Sequence, residues 1–311
     1  MKKIIIIGSG YSGSGAVVDY LAGRSDIMDP FQGKEFRLIH DPDGLMELFL
    51  SCNRNFTVQG TSSAINDFID FCKRYHTQGV IKNIKLAESF INRITTVEYK
   101  AAPYCERIKM NFIRRRLFLY QEKWLLSRGK KVELVTMRIP VDEEEFILRS
   151  QEFLDDLIED SLGRACNGAS CVINHGGSFW KPVSSTVFFG DRKTIIVLRD
   201  VRDVYAEMSL IGRAYPGRDA QLFCSWYQSV MKKIDASEWE DKTVMKITFE
   251  DFVLDYESSV KRICSHIDAD PSSASSYNPA KSAVNIGKYK NILSREEISC
   301  IENNLKEYCY L

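Results

Sequence analysis

IIIIGSGYSGSGAVVDYL, residues 4–21, carries the strongest structural pattern in this chain. Its four isoleucines form an unbroken β-branched run, which predicts a strand buried on both faces of a parallel sheet. A loop of alternating glycine and serine follows, and the apolar residues after it recur at helical spacing. A strand, a glycine loop and a helix in this order direct free main-chain N–H groups and the positive end of a helix dipole at an anion. We therefore expect the loop to bind a phosphate group.

Two known glycine patterns can be compared with this loop. The nucleoside triphosphate pattern GxxxxGK[ST] is not met, because no lysine follows the later glycines. The letters from Gly8 to Gly13 satisfy GxGxxG, whose acidic partner should follow a second strand about 20 residues on. Asp26 and Asp29 are nearby, but SDIMDPFQGKEF around them does not have the pattern of a buried strand. The loop alone therefore leaves the kind of phosphate open, and a glycine turn that only packs helix on strand is the alternative.

Composition limits the classes of partner. Lysine plus arginine equals aspartate plus glutamate at 42 each in 311 residues, so net charge gives no argument for nucleic acid or membrane binding. The nine cysteines are an odd number without a CxxC pair, which indicates reduced thiols rather than a zinc site or a disulfide framework. Four isoleucines before a glycine loop are too few for a signal peptide or a membrane span. We expect a cytoplasmic protein with no integral membrane segment and no nucleic acid partner.

A mainly helical insertion is predicted between about residues 24 and 160. One helix is predicted to begin at Asp43, and four more are predicted over 61–79, 84–96, 107–129 and 143–162. The segment VELVTMRIP is predicted to form a strand. The helix over 107–129 carries a basic cluster of Arg114, Arg115 and Arg116. Such a cluster is either a solvated helix face or a surface for an anionic acceptor, and the pattern leaves both open.

A short strand over residues 171–173 ends in the polar turn NHGG. Ligands of parallel α/β sheets gather at the carboxyl ends of the strands, so His175 occupies the position of a catalytic group. The alternative is a histidine that only hydrogen-bonds its own loop.

A second buried strand, residues 194–198, ends directly in Arg-Asp-Val-Arg-Asp. Arg199 and Arg202 suit a second anion site, because a guanidinium takes two phosphate oxygens and keeps its charge. Asp203 is placed to cap the following helix or to hold an arginine. The alternative for Arg199 is an ion pair with a neighbouring carboxylate only.

Four segments together resemble the sulfotransferases that use 3′-phosphoadenosine 5′-phosphosulfate (PAPS). GSGYSGSG is similar to the family's 5′ loop GSxRSGT, and RDVRDVYAEM to its 3′ loop RDPRDVYxS. VMKITFEDFVLDYESSVKRICSHIDAD resembles the strand-turn-helix of the form YEDLxxDPxxxxxxICxFLG, and NIGKYKN resembles the late loop GxWKN. The resemblance covers residues 1–21 and about 170–295. It implies a P-loop-type α/β fold, a single domain over residues 1–311 with a parallel sheet flanked by helices, and an insertion on the acceptor side of the cleft.

The resemblance also assigns roles to individual residues. The 5′-phosphosulfate would lie on Gly10, Tyr11, Ser12, Gly13, Ser14 and Gly15. The 3′-phosphate would be bound by Arg199, with Arg202 and Ser209 in the same loop and helix. The late loop would contribute Gly287, Lys288, Tyr289 and Lys290. His175 would deprotonate the acceptor hydroxyl as it attacks sulfur, and no metal is required.

Two positions depart from the family pattern. Tyr11 stands where the family has lysine or arginine, so Lys181 or a residue of the insertion would have to supply that cation. Glu207 stands at the position of a serine that follows the 3′-loop arginine, and Ser209 comes two residues later. Since a carboxylate repels a phosphate, we expect Glu207 to face away from the site.

The sequence thus predicts a PAPS-dependent sulfotransferase acting on a hydroxyl, with a carbohydrate or glycolipid as the expected acceptor. The alternatives are a P-loop kinase of small molecules and a nucleotide-binding relative without turnover. The acceptor's identity and the oligomeric state are not encoded in any pattern found.

Overall fold

The structure is a computed structural model that describes residues 1–102, 109–163, 169–211 and 216–311. It divides into two compact units, the first formed by Met1–Ile39 with Leu162–Leu311 and the second by His40–Ser161. Cys105, Cys166 and the first residues of the helix predicted over 107–129 lie outside the described residues. The position of the insertion on the acceptor side of a cleft stays a prediction.

The predicted fold class is confirmed, because the first unit is built on a parallel sheet flanked by helices. The strands of the described chain are β1 (Lys2–Gly8), β2 (Ile27–Met28), β3 (Thr95–Ala101), β4 (Val135–Pro140), β5 (Ser170–Asn174), β6 (Arg192–Leu198) and β7 (Val244–Thr248). The five-stranded parallel sheet has the order β2-β5-β1-β6-β7. Strand β1 therefore lies in its centre, between β5 and β6.

Helices surround the sheet in the first unit and make up most of the second. They are α1 (Ser14–Ala22), α2 (Leu45–Phe49), α3 (Val58–Thr77), α4 (Lys85–Arg93), α5 (Phe112–Ser127), α6 (Glu143–Leu162), α7 (Val201–Ile211), α8 (Ala220–Met231), α9 (Ala236–Trp239), α10 (Phe249–Leu254), α11 (Tyr256–Ile267), α12 (Pro279–Ala283), α13 (Tyr289–Ile292) and α14 (Arg295–Asn304). A π-helical turn, Leu50–Arg54, extends α2.

The central strand is buried on both faces, as its sequence predicts. Ile4 and Ile6 pack in a cluster with residues of α1, α10 and α11. On the other face, a Cβ at Gly176 would lie 3.1 Å from the Ile5 side chain and one at Gly177 would lie 2.9 Å from Ile7. Apolar contacts on both faces make β1 the strand around which the first unit packs.

The second unit is mainly helical, with an aromatic core. Phe90 of α4 stacks on Phe153 of α6 with ring centroids 4.6 Å apart, and Phe68 of α3 meets Phe90 edge-on at 5.9 Å. An antiparallel pair, β3 with β4, completes the unit. These contacts supply the buried apolar surface that holds the three helices together.

The structure differs from the predicted elements at three places. The helix predicted over 84–96 ends at Arg93, and β3 begins at Thr95 because the run Thr-Thr-Val favours an extended chain. Residues 27–28 form the short strand β2, although no strand is predicted there, because β5 offers them an open sheet edge. The helix predicted to begin at Asp43 begins at Leu45, since Asp43 has a positive φ of 65°.

Candidate functional site

Three strand ends meet at one edge of the first unit's sheet. Register pairs Gly8 with Val197 of β6, and Ile6 with Asn174 of β5. The residues that leave these strands are the glycine loop (residues 8–15), His175 and Arg199. The sheet therefore brings together the three groups that the sequence singled out, because parallel strands present their carboxyl ends at the same edge.

The glycine loop turns sharply into α1. Gly13 has φ 76°, and a Cβ there would lie only 2.5 Å from the Phe249 ring, so the turn needs glycine at this position. Gly13 is also the N-cap of α1 and provides no side chain to cap it. Ser12 is buried, and its hydroxyl has no hydrogen-bond partner among the described residues. The loop thus presents a helix N-terminus without a side-chain cap, which is the arrangement that binds anions.

His175 lies beside the start of α1. Its main-chain N–H donates to the carbonyl of Ile6 at 2.8 Å, and its φ of 54° is unusual for a residue with a Cβ. The imidazole Nε2 lies 3.4 Å from the Ser14 hydroxyl and 3.9 Å from a carboxylate oxygen of Glu35. The backbone conformation after β5 therefore places a proton-accepting group next to the glycine loop.

Arg199 contacts the glycine loop directly. Its guanidinium donates to the carbonyl of Tyr11 at 3.0 Å and to the carbonyl of Asn285 at 2.6 Å, and it lies 5.3 Å from the centre of the Phe249 ring. The side chain is 5% exposed, and its Nε has no partner among the described residues. Both hydrogen-bond acceptors are neutral carbonyls, and a carboxylate oxygen of Glu207 lies 3.8 Å from Nη2, so the charge of Arg199 is only partly compensated within the protein.

Arg202 is held by carboxylates instead. It donates from Nε and Nη2 to Asp200 at 3.0 and 2.8 Å, and from Nη1 to Glu302 at 2.6 Å. Hydrogen bonds to Asp200 raise the pKa of Arg202 above its usual value despite the opposing effect of burial. Ser209 donates to the carbonyl of Ala206 at 2.8 Å within its own helix. None of these contacts joins Arg202 or Ser209 to the glycine loop, and their phosphate-binding roles stay predictions.

The late loop (residues 285–291) is attached to α7 by Asp203. The Asp203 carboxylate accepts the N–H of Gly287 at 2.7 Å and the N–H of Tyr289 at 2.9 Å. Burial raises the pKa of Asp203, and these two hydrogen bonds act against that rise. The sequence predicts a helix cap or an arginine partner for this residue, and its observed role as the anchor of the late loop is a tertiary contact over 84 residues.

The prediction that Glu207 faces away from the site is wrong. Its carboxylate lies 2.9 Å from the ammonium of Lys288 and 3.8 Å from the guanidinium of Arg199. These two cations compensate the negative charge of the carboxylate at this position. Lys290 lies 5.7 Å from the centre of the Tyr289 ring.

Lys181 is exposed, and its carbonyl accepts the hydroxyl of Ser185 at 2.6 Å. Hydrogen bonds from Ser237 lower the pKa of Asp235, and the nearby charge of Lys181 lowers it further. The substitute for the loop cation missing at Tyr11 stays a proposal.

Sequence reasoning missed Glu250, whose carboxyl contacts the main chain of Asp200, the residue after Arg199. Its carboxyl is buried and accepts the N–H of Asp200 at 3.0 Å, while its other oxygen has no partner among the described residues. Burial raises the pKa of Glu250 to about 7. The acidic letters of TFEDF were visible in the sequence, but only the fold shows that this one turns inward.

Among the described residues, no group of three or more histidine, cysteine, aspartate or glutamate side chains is arranged to hold a metal ion. No helix in the described segments combines the length and the apolar character that crossing a bilayer requires.

The chain is similar to several solved structures, but no similarity to a known sequence is found. No family model and no curated protein matches the chain. It is similar to the sulfotransferase domain from the curacin biosynthetic pathway, with 14% identity, TM-score 0.37 and 97% of each chain covered. It is also similar to a sulfotransferase from Alicyclobacillus acidocaldarius, with 11% identity and TM-score 0.38 over 96% of this chain and 94% of that chain.

A third similar structure is mouse sulfotransferase SULT7A1 complexed with PAP, with 16% identity and TM-score 0.32 over 55% of this chain and 71% of that chain. Likenesses with TM-scores below 0.5 do not indicate the chemistry of this chain. All three of these solved structures are sulfotransferases or sulfotransferase domains.

Proposed function

We propose that this chain transfers a sulfuryl group from PAPS to a hydroxyl group of a carbohydrate or glycolipid. The observation that carries the proposal is the 3.4 Å separation between the His175 imidazole and the Ser14 hydroxyl. A histidine beside a helix N-terminus without a side-chain cap supports the proposal, because such an N-terminus can bind an anion. A sulfuryl transfer needs these two parts together, one for the donor and one for the acceptor proton.

The residues present fit a bisphosphate nucleotide. The Arg199 Nε and the Ser12 hydroxyl are buried polar groups without partners in the described chain, and a bound anion would satisfy such groups. The glycine loop would hold the 5′ end and Arg199 the 3′-phosphate, with Lys288 and Lys290 adding positive charge from the late loop. The negative charge of Glu207 would repel a phosphate bound at Arg199. Nucleotide binding therefore requires the ion pair between Glu207 and Lys288 to loosen.

The donor supplies an activated sulfuryl group when it is bound. His175 then accepts the proton of the acceptor hydroxyl at its imidazole, a step that contributes roughly 10²- to 10⁴-fold in comparable enzymes. Glu35, 3.9 Å from Nε2, stabilises the imidazolium that results. The N–H groups at the start of α1 stabilise the negative charge that develops on the leaving phosphate.

A nucleotide-binding protein without turnover is a second candidate, and one observation favours it. Tyr11 occupies the loop position of the missing cation, and its carbonyl, rather than a side-chain charge, contacts Arg199. Without that cation the leaving group loses one source of stabilisation. Such a protein would bind the nucleotide and release it unchanged.

The test is the variant His175→Ala, assayed with labelled PAPS and a panel of glycans. We expect transfer to fall at least 100-fold while calorimetric affinity for 3′-phosphoadenosine 5′-phosphate (PAP) stays within about threefold. His76→Ala is the matched control, because His76 is exposed and its ring contacts the carbonyl of Ile81 in the second unit. ATP in the same calorimeter tests the kinase alternative.

Full activity of His175→Ala would show that another residue accepts the proton of the acceptor hydroxyl. Binding of PAP without any transfer by the unaltered chain would favour the candidate without turnover. Tight binding of ATP and none of PAP would contradict the proposal altogether.

A further inference from the structure

Helix α5 presents large apolar side chains to solvent. Phe118 is its only buried residue, whereas Ile113, Leu117, Tyr120 and Trp124 are between 41% and 73% exposed. Isolated apolar residues on a surface are ordinary, but a continuous set on one helix marks a binding surface.

These four residues share one face. Their spacing of four, three and four residues places them within about 60° of the helix circumference, at 3.6 residues per turn. The face from Ile113 to Trp124 is about 17 Å long at 1.5 Å per residue. We call this set of four side chains the apolar stripe.

Basic side chains border the apolar stripe on both sides. At helical spacing, Arg116 and Lys123 lie along one edge and Arg114 and Arg128 along the other. The guanidinium of Arg128 lies 4.2 Å from the centre of the Trp124 ring. In the described parts of the chain, no carboxylate lies within ion-pair distance of these four residues.

The local charge is strongly positive. Residues 112–131 contain seven basic residues and one acidic residue, a net charge of +6, in a chain whose total formal charge is zero. The basic residues are Arg114, Arg115, Arg116, Lys123, Arg128, Lys130 and Lys131. A cluster of this density attracts an anionic surface.

We propose that α5 lies in the surface of an anionic lipid bilayer, with the apolar stripe among the acyl chains and the flanking basic residues at the headgroups. Interfacial helices carry apolar residues such as tryptophan and leucine on one face and lysine and arginine on the other. In α5 the apolar stripe and its basic borders supply these, while Phe112 and Leu126, 71% and 59% exposed, add apolar surface outside the stripe. A second copy of the chain fits less well, because pairing two α5 helices would bring together two segments of charge +6. A nucleic acid would use the charges but would leave the apolar stripe in water. The proposal goes beyond the proposed function and does not depend on it.

The test is binding of the full chain to vesicles. We expect cosedimentation with vesicles of phosphatidylcholine containing about 30% phosphatidylserine, and at least tenfold weaker binding to phosphatidylcholine alone. The binding should weaken as salt is raised from about 50 to 500 mM, because surface charges are then screened. Brominated lipid in the anionic vesicles should quench the fluorescence of Trp124, and this quenching should be lost in Trp124→Phe.

Two sets of variants separate charge from apolar contact. R114Q/R116Q/K123Q should lower the partition coefficient about 100-fold, since each basic residue near an anionic surface contributes about fivefold. I113S/L117S should lower it roughly tenfold or more through lost apolar burial. Matched controls on other exposed positions are K232Q/K233Q/K261Q and L254S, which should bind as the unaltered chain does.

Three results would overturn the proposal. One is failure of the chain to bind the anionic vesicles at low salt. The second is equal binding by the α5 variants and the controls. The third is a dimer in analytical ultracentrifugation that I113S/L117S abolishes, without lipid binding, because the apolar stripe would then lie between copies. PAP affinity is measured on the same samples, so failure here is distinguishable from failure of the proposed function.

Discussion

Arg199 and Arg202 follow the same strand, yet their surroundings differ in kind. Arg202 is enclosed by the carboxylates of Asp200 and Glu302, at 2.8 and 2.6 Å. Arg199 donates to two main-chain carbonyls and keeps a buried Nε without a partner in the described chain. Arg202 has two carboxylates at hydrogen-bond distance, whereas Arg199 hydrogen-bonds neutral carbonyls and lies 3.8 Å from a carboxylate oxygen of Glu207. The acceptors around an arginine, more than its place in a motif, decide how much of its charge is compensated within the protein.

The largest expected effect is on folding, at Arg202. Arg202→Ala leaves the fully buried carboxylate of Asp200 without its cation, and we expect the free energy of unfolding to fall by about 3–5 kcal/mol. Denaturant titration measures this loss. The variant Arg202→Lys should retain part of the lost stability. A loss below about 1 kcal/mol would mean that the N–H groups donating to Asp200 suffice, and the contrast between the two arginines would disappear.

The pH dependence of the free energy of unfolding tests Glu250, which contacts Asp200 in the same buried cluster. Its pKa is raised from 4.5 to about 7, so it lowers the stability of the folded chain as the pH rises through that window. We expect Glu250→Gln to be about as stable as the unaltered chain near pH 4.5, and more stable by roughly 3 kcal/mol at pH 8, at about 1.36 kcal/mol per pKa unit. Denaturant titrations at several pH values measure this difference. A difference that does not change with pH would contradict the raised pKa.

At Arg199 the main effect should be on ligand affinity. We expect Arg199→Ala to weaken PAP binding by about 1.5–3 kcal/mol, the contribution of charged hydrogen bonds. Its unfolding free energy should fall less than that of Arg202→Ala, because the hydrogen bonds of Arg199 go to neutral carbonyls and its contact with Glu207, at 3.8 Å, is longer than the carboxylate contacts of Arg202. Calorimetry of both variants gives the comparison directly. Unchanged PAP affinity in Arg199→Ala would refute the assignment of the 3′-phosphate to this residue.

Glu207 should produce the smallest effect. Glu207→Gln removes the carboxylate that pairs with Lys288, which is one-third exposed, and frees two cations for the nucleotide. We expect PAP affinity to rise about two- to fivefold at low salt, within the usual range of solvent-accessible ion pairs. Weaker binding in this variant would show that Glu207 orients Arg199 instead of competing with the anion.

Three strands of the main sheet, β1, β5 and β6, were predictable because their apolar runs are local. Residues 4–7 and 195–198 contain no polar residue, which is the pattern that a strand buried on both faces favours. The helix α6 was predicted with its observed bounds, since 20 residues of regular amphipathic spacing override local ambiguity. Strand β2 was not predictable from its two residues, because its conformation depends on the edge of β5.

By itself, the amino-acid sequence determined the glycine loop between a buried strand and a helix, the two arginines after β6, and the position of His175 at a strand end. Only the tertiary structure decided which arginine is neutralised, that Glu207 turns toward Lys288, and that Asp203 holds a loop 84 residues further on. The physical reason is the separation along the chain between the residues that interact. Strand and helix patterns come from neighbours along the chain, whereas the charge left on a guanidinium depends on acceptors that folding brings from distant segments.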